Sequence, residues 1–351
     1  MVNWEKIYTL PEYAPLQPLI QQAALRIQQA QRIVITTHLS ADGDAIGSQL
    51  ALYWALQKFG KQCLLWNPSP VPPALQFLPG TDRIQVFSSE VAQQTPSPDL
   101  VIFADVSTPT RLAGIYEYVQ QLRCPTILID HHTNRSLEAD LIISDPDASS
   151  TGELVWLLLL HLFQYRLEQV DRLIAEPLYA ALMTDTGGFR FPRTDAIVHR
   201  IVAELIDHGA DPAYVAEQIY NQMSVAKVRL LGEGLSAMTT YHHGQLCIMA
   251  LPYQAFQQHQ AQPEDTEGFV EYTLMVKGVR VGVLVVELPE MIKMSFRSKG
   301  AIPANKIAGA FGGGGHLNAA GARVKGWRLE DVIQKIVEVS EPYLAHEPVA
   351  R

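Results

Sequence analysis

Short apolar runs alternate with helical patterns through the first part of the chain. Buried strands are predicted for four β-branched or apolar runs, at residues 32–37, 62–66, 99–104 and 126–129. Helices are predicted around them, over residues 17–30 and 44–59 and from Pro109 onward. Strands that alternate with helices in this way form a parallel sheet with helices on both faces.

The pattern changes near residue 221. Residues 149–220 are predicted to be mostly helical, and a helix over residues 223–238 is expected to connect two domains. Beyond it the sequence predicts strands at 246–250, 279–287 and 292–296, helices at 303–310 and from Leu329, and a glycine run at 312–315. We therefore predict an α/β fold: a parallel-sheet domain with flanking helices over residues 1–220, a helical linker over 221–240, and a smaller α/β domain over 241–351.

Composition narrows the classes of partner. The chain has 351 residues, of which 48% are apolar, and this is enough to form a core in each of two domains. Lys and Arg total 27 against 36 Asp and Glu, which gives a net charge of −9. A long duplex is bound mainly through phosphate contacts from a basic surface, so this charge argues against a partner of that kind. A local basic pocket for a short anionic ligand remains compatible with it.

The sequence also predicts the compartment. Cys63, Cys124 and Cys247 lie far apart without a CxxC spacing, which argues against a zinc ribbon and a disulfide framework. The longest apolar run, residues 154–160, is too short to span a bilayer, and the N-terminus shows no signal-peptide pattern. We therefore predict a cytoplasmic protein that has no membrane partner.

Carboxylate and imidazole side chains follow the predicted strands, at the edge where open parallel sheets bind ligands. In chain order they are His38, Asp42, Asp44, Asp105, Asp130, His131, His132 and, after a helical stretch, Asp185. Taken singly, each has an ordinary structural explanation, because an Asp after a strand is often a helix N-cap or a turn residue. Clustered at one edge, however, ionised carboxylates repel one another unless a cation lies among them.

The donor types indicate which cation. Oxygen and imidazole ligands without thiolate favour Mn²⁺ or Mg²⁺ over a structural zinc site. In phosphoryl-transfer enzymes two such ions lie about 3.5–4 Å apart and lower the pKa of a bound water from about 15.7 towards 7. The residues therefore predict a two-metal phosphoester hydrolase.

The same residues resemble the four motifs of the DHH phosphoesterase superfamily. The motifs are His38-x3-Asp42-x-Asp44, Asp105, Asp130-His131-His132 and Asp185-Thr186-Gly187. Further along, residues 296–300 (FRSKG), the glycine run that ends in His316, and residues 318–321 (NAAG) resemble the DHHA1 domain of one branch. The similarity covers nearly the whole chain, and the two-domain length most resembles the nano-RNase/pAp phosphatase proteins.

This resemblance implies a role for each residue of the first domain. His38 and Asp42 would hold one Mn²⁺, Asp44, His131 and Asp185 a second, and Asp105 would bridge both; Mg²⁺ is the alternative ion. Asp130 would orient an imidazole, as histidines in metal sites usually require. His132 would act on the scissile phosphate as a hydrogen-bond donor or general acid. The implied catalytic residues are thus His132, Asp130 and Asp105.

The second domain would bind the rest of the substrate. The residues implied are Arg297, Ser298, Gly313, Gly314, Gly315 and His316, with Arg190 of the first domain as a further candidate. A guanidinium presents a bidentate fork to a phosphate, and glycines let backbone N–H groups approach an anion. Ser295 stands where relatives can carry a basic residue, so the phosphate pocket is weaker by one charge.

The function implied is Mn²⁺-dependent hydrolysis of very short RNA to 5′-mononucleotides, and of 3′-phosphoadenosine 5′-phosphate (pAp) to AMP and phosphate. A cyclic dinucleotide phosphodiesterase of the c-di-AMP type is the nearest alternative. Three other functions fit less well. The chain length argues against a RecJ-like single-strand exonuclease, and the second-domain motifs argue against a family II inorganic pyrophosphatase. The filled metal positions argue against a non-catalytic nucleotide-sensing module. The sequence leaves the oligomeric state open, with a homodimer through the first domain as one arrangement.

Overall fold

The computed structural model describes residues 2–344, and the chain divides after Gln222 into two compact units. The strands of the first unit are β1 Arg32–Thr36, β2 Gln62–Asn67, β3 Ile84–Val86, β4 Leu100–Ala104, β5 Thr126–Asp130 and β6 Leu141–Ser144. Its helices are α1 Trp4–Tyr8, α2 Gln17–Gln29, α3 Gly43–Lys58, α4 Ser89–Gln94, α5 Ile115–Leu122, α6 Thr151–Leu162, α7 Arg172–Asp185, α8 Ala196–Asp207 and α9 Pro212–Tyr220.

The strands of the first unit form a parallel sheet in the order β3-β2-β1-β4-β5-β6. The sheet has a hydrophobic core on each face, and successive side chains of β1 pack into opposite ones. Ile33 and Ile35 belong to one core, and Val34 belongs to the other. The strands therefore read as unbroken apolar runs, as expected for a sheet covered on both faces. The strand order reverses between β1 and β4, and ligands of doubly wound sheets bind at the carboxyl ends of such a pair.

The second unit contains a mixed sheet. Its strands are β7 Thr239–Tyr241, β8 Leu246–Leu251, β9 Val281–Leu288, β10 Met291–Ser298, β11 Gly314–Gly315 and β12 Ala319–Val324. Its helices are α10 Val225–Ser236, α11 Tyr253–His259, α12 Phe269–Met275, α13 Ala304–Gly309 and α14 Leu329–Leu344. The strand order is β11-β12-β10-β9-β8-β7, and β8 pairs with β9 in parallel while the other pairs are antiparallel.

The predicted fold class is confirmed, and one predicted helix start is wrong. The chain from Pro109 forms a single 3₁₀ turn, Pro109–Leu112, and α5 begins at Ile115. Ala113 (φ 42°) and Gly114 (φ 90°) lie between them in the left-handed region, which a continuous helix cannot contain. The short strands β6 and β11 were not predicted. β6 has four residues and β11 consists of two glycines, and such short segments show little of the alternation or β-branched composition that marks a strand.

The helix predicted as a connector contributes to the core of the second unit. Leu230 and Leu231 of α10 pack with Met249 of β8 and Phe256 of α11. The domain limits at residues 220 and 240 stay predictions. Within residues 2–344, none of the helices combines the length and the apolar character that a membrane crossing requires.

Candidate metal centre

The predicted ligands of the first domain meet at the carboxyl edge of the parallel sheet. His38 follows β1, Asp105 follows β4 and His131 follows β5 directly. Asp42 is the N-cap of α3, where its carboxylate accepts a hydrogen bond from the Ala45 N–H at 3.1 Å. Asp44 lies in the first turn of α3, and Asp185 is the last residue of α7.

The two carboxylate oxygens of Asp105 face different histidines. His38 Nε2 lies 3.4 Å from Asp105 Oδ2 and 3.8 Å from Asp42 Oδ2. His131 Nε2 lies 3.8 Å from Asp105 Oδ1, the other oxygen of the same carboxylate. It also lies 3.3 Å from Asp185 Oδ2 and 3.7 Å from Asp44 Oδ2. Three sets of side chains each bring three donor atoms within 4.8 Å of one another, as a metal ion requires: His38, Asp42 and Asp105; Asp44, His131 and Asp185; and Asp105, His131 and His132.

The electrostatics of the cluster call for positive charge. Burial raises the pKa of Asp44 well above its ordinary value, and the negative charges of Asp105, Asp185 and Asp42 raise it further. Burial likewise raises the pKa of Asp185 to about 6, against the opposing charge of His131. Burial acts to raise the pKa of Asp105 too, but the hydrogen bond with His38 and the positive charges of His132, His38 and His131 outweigh it. The pKa of Asp105 is therefore lowered. A full set of ionised carboxylates here needs cations among them.

The N-terminus of α6 holds two of the carboxylates in place. Asp44 accepts hydrogen bonds from the backbone N–H groups of Thr151 at 2.7 Å and Gly152 at 2.9 Å, and from Ser48 Oγ at 3.1 Å. The Thr151 hydroxyl donates to Asp105 Oδ1 at 2.8 Å. Sequence reasoning missed these residues. The Ser150-x-x-Glu153 spacing marks the start of a helix, but it does not reveal what that helix end contacts.

Asp130 orients His132. Its Oδ1 accepts a hydrogen bond from His132 Nδ1 at 2.7 Å, whereas His131 Nδ1 lies 3.4 Å from the Ala148 carbonyl oxygen. This hydrogen bond is the main cause of a raised pKa at His132, against the opposing effect of burial. Asp130 is fully buried, and its Oδ2 has no hydrogen-bond partner among the described residues.

Arg111 lies beside the cluster and was not predicted. Its Nη2 lies 2.7 Å from His38 Nδ1, and the Leu39 carbonyl oxygen lies 2.9 Å from the same atom. For Nε2 of His38 to ligate a metal, the ring proton must be on Nδ1, where it is donated to Leu39. Nδ1 then has no lone pair to accept from Arg111, so the guanidinium must turn away from Nδ1 and contributes as a cation at the edge of the cluster, where its charge opposes the raised pKa of His132.

The predicted substrate residues of the second unit surround β10, β11 and β12. Arg297 on β10 donates from Nε to Glu271 Oε1 at 2.8 Å. The buried Ser298 hydroxyl donates to the Ile302 carbonyl at 2.6 Å and accepts from Asn318 Nδ2 at 3.0 Å. His316 is exposed, and its N–H donates to the Ala319 carbonyl at 2.7 Å.

The glycines of this region and Arg190 of the first unit complete the predicted set. A Cβ at Gly313 would lie 2.2 Å from the Gly321 carbonyl oxygen, so β12 admits no side chain there. Gly314 and Gly315 form β11, and Gly315 has a φ of 146°. In the first unit the exposed Arg190 donates from Nε to the Gly187 carbonyl at 2.6 Å, in the loop after Asp185.

Comparison with known proteins identifies the family. The pattern of the DHH family N-terminal domain matches residues 32–184, and that of the DHHA1 domain matches residues 244–345. The bifunctional oligoribonuclease and PAP phosphatase NrnA of Thermus thermophilus is 34% identical over 307 residues, which cover 87% of this chain and 88% of that protein. The chain belongs to the DHH family. It is a phosphoesterase, as the motifs led us to expect.

Two further proteins resemble this DHH protein. The crystal structure of an exopolyphosphatase-related protein from Bacteroides fragilis superimposes with a TM-score of 0.85 at 32% identity, and covers 94% of this chain and 98% of that one. The cyclic-di-AMP phosphodiesterase PdeA of Listeria monocytogenes is 24% identical over 90% of this chain, which matches 48% of that longer protein.

Proposed function

We propose that this DHH protein is a Mn²⁺-dependent hydrolase of very short RNA, which it converts to 5′-mononucleotides, and of pAp, which it converts to AMP and phosphate. The observation that carries the proposal is the position of Asp105, whose two oxygens face two separate histidine-carboxylate groups. A phosphodiester and a phosphomonoester present the same kind of phosphorus to such a site. The similarity to NrnA over most of both chains supports this pair of substrates.

The donor set fits a pair of divalent cations, because it combines carboxylate oxygens and imidazole nitrogens without thiolate. We assign His38 and Asp42 to one Mn²⁺, Asp44, His131 and Asp185 to the other, and Asp105 to both; Mg²⁺ is the other cation that suits these donors. When bound, such ions polarise phosphoryl oxygens and lower the pKa of water by several units. Proton delivery and substrate binding are left to side chains of the protein.

His132 is the residue that we propose delivers a proton to the leaving oxygen. Its Nδ1–H donates to Asp130, so the proton available to the substrate is on Nε2. The raised pKa keeps this imidazole protonated to higher pH than that of an isolated histidine. Its side chain is 35% exposed, so it is open to substrate, whereas the side chain of His38 is 1% exposed.

We propose a set of residues that bind the substrate. They are Arg297, Ser298, Gly313, Gly314, Gly315, His316 and Arg190. Half-buried Arg297 and exposed His316 suit phosphate and base contacts, while Ser298, which is buried, suits a role in shaping the loop that carries Asn318. We also propose a cytoplasmic compartment, which the three free thiols of Cys63, Cys124 and Cys247 support.

Product analysis tests the function directly. Purified protein with Mn²⁺ is given pAp, a 5′-phosphorylated RNA dinucleotide, a long single-stranded RNA and cyclic di-AMP in parallel. We expect turnover of pAp and the dinucleotide, with AMP or 5′-mononucleotides as products, and little turnover of the other two. Fast degradation of the long RNA would contradict the proposed substrate length.

A cyclic dinucleotide phosphodiesterase is the second candidate, and the similarity to PdeA over 90% of this chain favours it. It would use the same metal centre, so metal dependence does not separate the two functions. Opening of cyclic di-AMP faster than turnover of pAp in the same panel would select this second function.

A further inference from the structure

A cavity of about 310 Å³ opens beside the candidate metal centre in the first unit. His131 and Asp185 line one part of it, and Phe191 and Pro192 line another. A group bound in this cavity would therefore adjoin any phosphate held at the metal centre. None of the roles assigned above involves Phe191.

A tight turn after Asp185 positions the backbone of Phe191. The Phe191 N–H donates to the Thr186 carbonyl oxygen at 3.0 Å, which closes a tight turn after α7. The ring lies against Gly187, where an added Cβ would be 2.5 Å from a ring atom and where φ is +59°. The positive φ favours glycine at position 187, and the missing Cβ leaves room for the ring.

Phe191 is 55% exposed, so much of its ring faces solvent. Single exposed apolar side chains are ordinary on protein surfaces and need no explanation alone. Phe191 differs from most of them because its ring is part of the wall of a cavity that also contains two candidate metal ligands. An aromatic face next to a phosphate-binding centre is the arrangement that proteins use to stack a nucleobase.

The other polar side chains of the cavity are Ser149, Thr186 and Arg193, and neither hydroxyl is free to donate to a base edge. The Ser149 hydroxyl donates to Glu153 Oε2 at 2.8 Å, and the Thr186 hydroxyl donates to the Leu182 carbonyl at 2.6 Å. Both hydroxyl protons are thus already bound within the protein. Stacking on the Phe191 ring accepts any base, because every nucleobase has a π face.

We propose that Phe191 is the stacking platform for the nucleobase of the nucleotide next to the scissile phosphate. The inference rests on the proposed function and deepens it: the substrate must carry a base beside the reacting phosphate, and the ring by itself does not distinguish one base from another.

The test compares Phe191→Leu, which keeps an apolar side chain but removes the ring, with Phe191→Tyr, which keeps the ring. Phe59→Leu is the matched control: Phe59 is 37% exposed, stacks on Phe163 with ring centroids 5.3 Å apart, and follows the far end of α3 from Asp44. KM and kcat are measured for an RNA dinucleotide and for the same dinucleotide with an abasic residue next to the scissile phosphate.

For Phe191→Leu we expect KM for the intact dinucleotide to rise about tenfold, while KM for the abasic one and both kcat values stay unchanged. Phe191→Tyr and Phe59→Leu should stay within about twofold of the unaltered protein on both substrates. Equal losses on the intact and abasic dinucleotides, or an unchanged KM in Phe191→Leu, would overturn the proposal.

A binding measurement separates failure of this inference from failure of the proposed function. A dinucleotide with 2-aminopurine and a non-hydrolysable phosphonate linkage is titrated with the unaltered protein and with each variant. Stacking quenches the fluorescence of 2-aminopurine whether or not the protein hydrolyses RNA. Quenching that is lost in Phe191→Leu and kept in Phe191→Tyr supports the stacking site, and equal quenching in all variants refutes it.

Discussion

The two sheets of the molecule present their charged residues to very different surroundings. In the first unit, Asp44 and Asp105 are each 1% exposed and lie at the edge of a sheet that helices cover on both faces. In the second unit, every other residue of β10 is partly exposed, and Arg297 extends from that face. A buried carboxylate without a partner is far costlier than an exposed one, and Asp44 and Asp105 each accept hydrogen bonds from the start of α6. The comparison predicts large effects from single changes in the first unit and smaller ones in the second.

Asp105→Asn should have the largest effect. The change removes the charge between His38 and His131, so both candidate metal sites lose a ligand of full charge. We expect hydrolysis to fall to the rate seen without added metal, and the protein to retain no Mn²⁺ after dialysis. Metal analysis and product formation measure the two effects. Asp82→Asn, a change of the same kind at an exposed ion pair with Arg83, is the control.

Normal metal content and normal activity in Asp105→Asn would show that the two groups of ligands do not share this residue.

Thr151→Val should follow in size. The valine has nearly the same shape but cannot donate to Asp105 Oδ1, so this carboxylate is no longer held in one orientation. Partners of this kind contribute about 10–100-fold to metal affinity. Calorimetric titration with Mn²⁺ measures the loss, and Thr151→Ser, which keeps the hydroxyl, should restore most of the affinity. Equal affinities in the valine and serine variants would refute the role of the hydroxyl.

Two glycine-to-alanine changes test whether packing also differs between the units. A Cβ at Gly47 in α3 would lie 2.3 Å from the Pro177 carbonyl oxygen of α7, whereas a Cβ at Gly232 in α10 meets nothing within 4 Å. We expect Gly47→Ala to reduce the free energy of unfolding by about 1–3 kcal/mol. Gly232→Ala should raise it by about 0.5–1 kcal/mol, because alanine favours the helix.

Urea denaturation measures both glycine variants. Effects of the same sign at the two positions would contradict the packing difference.

Arg297→Gln should have a moderate effect that is confined to substrate binding. A hydrogen bond to a charged group contributes about 1.5–3 kcal/mol, and the exposure of Arg297 and its pairing with Glu271 favour the lower end. We expect KM for the RNA dinucleotide to rise about tenfold without a change in Mn²⁺ affinity. Arg328→Gln, at the exposed ion pair with Glu330, is the control. A fall in kcat at unchanged KM would place Arg297 in the chemistry instead.

Asp130→Asn should mainly alter the pH dependence. The Asp130 carboxylate raises the pKa of His132, so the imidazole stays protonated to higher pH. With asparagine that pKa falls, and a general acid is then lost earlier as the pH increases. The alkaline limb of the profile of kcat/KM should therefore move to lower pH, while the rate below the pKa of His132 changes little. A limb that stays in place would show that His132 is not the acid.

The sequence predicted the chemistry of the first unit better than its supporting contacts. The apolar runs around Ile33 and Ile102 identify buried parallel strands, and the position of His38 and Asp105 after those strands identifies the edge where they meet. These inferences work because each depends on a few neighbouring residues. The role of Asp130 was predicted only as orientation of an imidazole, and the structure selects His132 over the adjacent His131.

The sequence alone thus determined the fold class, the family and the residues that come together at the sheet edge. The tertiary structure decided what holds them: Thr151 contacts Asp44 from 107 positions away, and Arg111 contacts His38 from 73 positions away. It also decided that the Phe191 ring lines a cavity next to His131. Strand and motif patterns are local and can be recognised in the sequence, whereas these contacts arise only when distant segments pack together in the folded chain.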